Sequence, residues 1–188
     1  MLLLFLLTTF FVNSLAQIEM SEDPNLQPME NFDTSKFLGT WYEISRTPSQ
    51  YEIEQKCSII VYNYYENSPM MVALASTDIK TGEYSRLPAS YTQKKENVAQ
   101  WDFRYPANIK DSNGVSSILG TDYVNWAVKA LLQPAHNRKS GYDLIIWILS
   151  REKTLSDEYY DQAMDVFHKN NIPNADLIKV DQSDCDIS

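Results

Sequence analysis

The chain is poor in the residues from which catalytic and metal centres are usually built. It has two histidines in 188 residues, His136 and His168, too few and too dispersed for a metal site. Cysteine occurs only twice, at Cys57 and Cys185. Lys and Arg number 16 against 25 Asp and Glu, for a formal charge of −9 and a pI of about 4.7. Nucleic-acid backbones and anionic membrane surfaces repel such a chain, so no nucleic-acid partner is expected. The two basic pairs, Lys94-Lys95 and Arg138-Lys139, suit solvated turns. There is no Asn-x-Ser/Thr acceptor, since Asn67-Ser68-Pro69 has the wrong third residue. Internal repeats and low-complexity segments are also lacking. No nucleophile–base pair is visible, which argues against an enzyme.

One apolar run is present, at the start. Residues 1–12 are uncharged and mostly apolar, and Asn13-Ser14-Leu15-Ala16 places small residues at the last and third-last positions before Gln17. This is the pattern of a secretory signal peptide spanning residues 1–16, although no Lys or Arg stands near Met1. The run is too short to cross a bilayer and no later one is long enough, so no integral membrane segment is expected. Residues 17–188 suit a single domain. In the oxidising compartment that a signal peptide implies, two cysteines favour a bridge. The alternative is a reactive thiol at Cys57.

Residues 17–30 are acidic, hold Pro24 and Pro28 and show no period, as in an arm crossing one end of a fold. Short runs follow that alternate or are rich in aromatic and β-branched residues. They cover 41–47, 57–65, 71–78, 84–93, 98–105, 115–122, 124–133 and 142–150, with turn residues between them. This spacing predicts an antiparallel sandwich or barrel. The period then changes. Tyr159, Tyr160, Ala163, Met164 and Phe167 form a helical stripe within 154–171. Thr154 with Asp157 is the expected N-terminal cap, and Asn170-Asn171 with Pro173 the stop. A strand over 175–180 completes the pattern.

Gly39-Thr40-Trp41-Tyr42-Glu43, then Thr121-Asp122-Tyr123, then Arg151 after an apolar strand, resemble in order and spacing the three signature regions of the lipocalins. Asn31-Phe32-Asp33 and Trp147-Ile148-Leu149-Ser150 carry a closer similarity to the apolipoprotein D and insect bilin-binding branch. The resemblance runs from about Asn31 to Asp181. It implies an all-β fold, an eight-stranded antiparallel up-and-down barrel over 39–151. One helix packs outside the barrel, and a short ninth strand with a tail occupies 175–188. That branch usually has two disulfides. Cys57 and Cys185 match one pair, and neither partner of the other pair is present.

The resemblance also sets which residues face inward. Arg151 of this family turns in at the closed end against the Trp of Gly-x-Trp, here Trp41. Gly39, Trp41, Thr121, Asp122, Tyr123 and Arg151 are thus the structural motif. Alternation along each strand then points Ile145, Trp147 and Leu149 inward, with Asn125, Ala127 and Lys129 beside them. Ile60, Tyr62, Tyr64, Val72 and Leu74 follow on earlier strands, and Trp101, Phe103 and Tyr105 share the aromatic face of theirs. The expected ligand site is Tyr62, Tyr64, Val72, Leu74, Trp101, Phe103, Tyr105, Asn125, Lys129, Ile145, Trp147 and Leu149. Lys129 is its polar signal, a cation suited to a ligand carboxylate. The alternatives are a Lys129 that snorkels outward and rings that fill the barrel.

The function implied is a secreted carrier or buffer of a small hydrophobic ligand of the bilin, fatty acid, retinoid or sterol class. No cofactor is required, and a pigment or lipid is the possible cargo. One alternative is a secreted decoy acting through its loops; the long loop over residues 48–56, with Tyr51 and Ile53, better fits the lid over the cavity that the resemblance implies. Another is a lipid-isomerising enzyme, which would need a free thiol inside the barrel.

Overall fold

Alternating apolar and polar side chains favour strands with one face in a shared interior. In the computed structural model that interior is a closed barrel. The described residues are 17–49, 52–65, 68–106, 113–136, 138–173 and 176–185. The expected leader (residues 1–16), Tyr51, Asn67 and Ala175 lie outside them. The elements in chain order are β1 (Ile18–Met20), α1 (Thr34–Phe37), β2 (Gly39–Arg46), β3 (Gln55–Asn63), β4 (Met70–Asp78), β5 (Tyr84–Gln93) and β6 (Gln100–Arg104). They continue with β7 (Gly114–Thr121), β8 (Trp126–Pro134), β9 (Tyr142–Ser150), α2 (Asp157–Lys169) and β10 (Ile178–Lys179).

Strands β2 to β9 pair antiparallel in sequence order, and β9 pairs back onto β2 to close eight strands. The short strands β1 and β10 add outside this ring, on β9 and β2 respectively. The arm therefore contains a strand where no period was visible. Strand β10 is shorter than expected, and α2 starts later. Its N-cap is Ser156, which accepts from the Tyr159 amide, rather than Thr154. Asp157 and Glu158 occupy its positive end, and Asn171 ends it at φ 51°.

The apolar residues divide into two layers. Trp41, Ile60, Tyr62, Val72, Tyr91, Trp101, Phe103, Leu131, Ile145, Trp147 and Leu149 belong to the buried cluster inside the barrel. Trp126, Val128, Ala130, Leu144, Ile146 and Ile148 pack outside it with Ala163, Val166 and Phe167 of α2. Strands β8 and β9 are apolar on both faces because each separates the lumen from a helix. Gly120 allows the helix to approach, since a Cβ there would stand 2.8 Å from Val166 Cγ2.

Cys57 and Cys185 are joined, 128 residues apart in sequence. The bridge sits where β3 shifts register between Lys56 and Ile59. There the Cys57 amide donates to the Asp181 carbonyl at 2.8 Å, and the Val180 amide to that of Ile44 at 3.0 Å. The C-terminal segment is thus bound to β2 and β3 by hydrogen bonds and by a covalent link.

At the closed end the Arg151 guanidinium lies 3.8 Å from the centre of the Trp41 ring. It donates to four carbonyls, those of Tyr123, Leu38, Thr40 and Lys36, at 2.9–3.2 Å. Beneath it, Asp122 accepts from the amides of Val124, Asn125 and Trp126 and from the Asn125 side chain. Gly39 sits at φ +95° with Arg151 Nη1 3.5 Å from where its Cβ would be. Arg151→Lys keeps the charge but loses both the stack and the fork of donors. It should destabilise by about 1–3 kcal/mol in chemical denaturation. An Arg151→Lys protein as stable as the parent would exclude this arrangement as the cap.

Candidate functional site in the open half of the barrel

The lumen is occupied unevenly. At the closed end Phe37 stacks on Trp41 at 4.7 Å between centroids, and Trp41 Nε1 donates to the Phe37 carbonyl at 2.9 Å. Toward the other end a cavity of about 150 Å³ opens, lined by Leu74, Leu87, Phe103, Tyr105, Leu131, Ile145 and Trp147. Its polar lining is Ser49, Glu52, Gln55, Ser76, Ser85, Lys129 and Gln133.

The expected ligand residues fall into three groups. Leu74, Phe103, Tyr105, Lys129, Ile145 and Trp147 line the cavity. Tyr62, Val72, Trp101 and Leu149 face the lumen below it, in the packed part. Tyr64 and Asn125 are corrections. Strand β3 ends at Asn63, and Tyr64 lies beyond the closed end, 56% exposed. It borders a second cleft of about 460 Å³ with Leu38, Pro69 and Met70, whose lining also takes in Tyr91 and Trp101 of the barrel cluster. Asn125 precedes β8, and its amide donates to Asp122 Oδ2 at 2.7 Å in the turn, so the turn and not the lumen takes this side chain.

Lys129 is 1% exposed. Its ammonium lies 3.4 Å from the centre of the Trp147 ring, and it makes no ion pair among the described residues. Burial pulls its pKa down from 10.5 to about 8, against the opposing influence of Glu52 and Glu43. At neutral pH the cation persists beside an apolar wall.

Three ionisable residues near it, Glu43, Arg46 and Glu52, are not in the inward set read from the sequence. Glu43 pairs across the sheet with Leu149 and Arg46 with Trp147, on either side of a register shift in β2, so both point inward. Alternation from Trp41 reaches Glu43, but the bulge that turns Arg46 inward leaves no mark in the sequence. Arg46 Nη1 donates to Glu43 Oε2 at 3.1 Å. Its Nη2 donates to the carbonyls of Glu52 and Gln55, holding the segment after β2 across the mouth. From that segment Glu52 accepts from Trp147 Nε1 at 3.3 Å, while Ile53 projects outward, 64% exposed.

The Glu43 carboxyl is raised from 4.5 to about 8, chiefly by burial and then by the charge of Glu52, which together outweigh Arg46 and Lys129. The folded protein keeps this proton while the unfolded chain loses it above about pH 4.5. The stability that Glu43 contributes is thus full below that pH, falls as pH rises toward 8 and is level above. Denaturation at a series of pH values should show wild type losing stability relative to Glu43→Gln across that window. A constant difference would mean Glu43 is already ionised when buried.

The comparisons agree with this geometry. A family model described as a lipocalin-like domain matches residues 32–182. Insecticyanin-A of Manduca sexta is 30% identical over 152 residues, covering 77% of this chain and 78% of its own length. Apolipoprotein D of Macaca fascicularis is 27% identical, covering 83% and 80%. The bilin-binding protein of Pieris brassicae is 25% identical, covering 72% and 70%. The chain belongs to the lipocalin-like family.

Proposed function

We infer that the protein is a secreted carrier that holds a small apolar ligand bearing an acid group in the open-end cavity. The observation that carries this is Lys129, a buried ammonium without an ion pair among the described residues, facing a cavity whose walls are Leu74, Leu87, Leu131, Ile145, Phe103 and Trp147. Apolar walls supply affinity in proportion to the area they cover. A single buried cation supplies orientation, because a carboxylate beside it gains a charge-assisted bond in a low-dielectric site. Export is supported by the apolar run of residues 1–16 and by the Cys57–Cys185 bridge. One relative is named for a bilin, so a pigment is the bulky cargo against which a small acid is to be compared.

Lipid isomerisation in this family needs a free thiol in the barrel, and both cysteines are joined. Glu52, which shares the cavity, favours a basic ligand as the second reading.

Tryptophan fluorescence titrations with matched acids, alcohols and amines separate the readings, because Trp147 lines the cavity. Acids should bind more tightly than their alcohols at pH 7, and Lys129→Leu should remove a preference of about 1.5–3 kcal/mol while sparing the alcohols. In wild type the preference should decline as pH rises through about 8, where Lys129 loses its proton. An amine preference assigns the site to Glu52. An acid preference that survives Lys129→Leu removes Lys129 from the site.

A further inference from the structure

The inner half of the barrel is not space awaiting a ligand. Rings run without a break from the closed end to the cavity floor. Between centroids, Phe37 to Tyr62 is 5.0 Å, Tyr62 to Tyr91 6.1 Å, Tyr91 to Phe103 5.5 Å and Phe103 to Tyr105 4.6 Å, each edge-to-face. Such contacts add to the gain from burial alone. Polar handles fix the column. Tyr91 accepts from Ser116 Oγ at 3.1 Å, and Trp41 donates to the Phe37 carbonyl. Displacing either ring would leave a buried polar group unmatched. Tyr62, Tyr91 and Phe103 are each buried to 1% exposure.

The column is therefore part of the core, and the cavity beside Lys129, about 150 Å³, begins beyond Phe103. An apolar cavity of about 150 Å³ accommodates a benzene ring, whereas drug-sized ligands occupy roughly 300–1,000 Å³. We propose that the cavity takes a small carboxylic acid, with one ring or a chain of about eight carbons, and that Phe103 sets this limit. The carboxylate rests at Lys129, and the apolar part lies against Leu74, Leu87, Ile145 and Phe103. A tetrapyrrole or long acyl chain would have to displace the column or remain largely outside the mouth. This rests on the reading that the cavity binds acids through Lys129.

The test is a titration of the mature chain with straight-chain carboxylates of about four to sixteen carbons, with biliverdin alongside. Affinity should rise about fourfold per methylene to roughly eight carbons and then level, with biliverdin weaker than octanoate. Phe103→Ala should carry the rise to longer chains. Should that variant fail to fold, Phe103→Leu should move the break by about one methylene. A wild-type affinity that climbs through sixteen carbons, or biliverdin bound more tightly than octanoate, overturns the size limit while leaving acid binding intact. If no acid of any length binds, the carrier reading falls and the limit with it.

Discussion

Closure of β9 onto β2 is the constraint on which the rest of the structure depends. An open sheet of eight strands would expose two edges and two faces. Joining the ends removes those edges and turns one face into an enclosed lumen. Every second side chain is then committed to a space that only side chains or cargo can fill. Most of that space goes to large rings, and α2 covers the outside where β8 and β9 are also apolar. The same closure leaves part of β2 free on its other side, where β3 turns away at Cys57. Strand β10 and the disulfide occupy that gap.

Enclosure also decides what the charges do. Arg46 and Glu43 are both about 1% exposed, and removing two such groups from water costs more than a simple contact returns. Arg46 is tolerable because carbonyls of Glu52 and Gln55, Ser58 Oγ and the Glu43 carboxyl surround it. That shell also fixes the segment crossing the mouth. Lys129 lacks such a shell. Its nearest described support is the face of an indole, which satisfies a cation only in part. This difference marks Arg46 as a structural charge and is what supports the role proposed for Lys129.

Most of the barrel was legible because strands, turns and the helix each carry their own period in the sequence. The structure departs from that pattern locally. Thr154 looked like the cap, but Ser156 stands one residue before the helix and accepts its amide. Asn125 and Tyr64 were counted by alternation past the points where β8 begins and β3 ends. Register shifts defeated the count more seriously. Inserting one residue after Glu43 turned Arg46 inward and assembled a charged cluster that no run of residues announces. Glu52 reaches the cavity from a connecting segment, by a tertiary contact with Trp147 that lies 95 residues away in sequence.

How far the rings fill the barrel was not legible either, because alternation gives the direction of a side chain and not the volume left beside it. Tyr62 and Phe103 both point inward, yet one lies within the packed column and the other forms its surface. This arrangement separates stability from specificity. Arg151, Trp41 and Asp122 hold the closed end with bonds that touch no part of the cavity. The cavity is set by Phe103, Leu74 and Lys129 on three different strands. Phe103 belongs to both sets, since it packs on Tyr91 in the column and borders the cavity. A closed end of this kind is compatible with cavities of different depth, so cargo does not transfer with the fold.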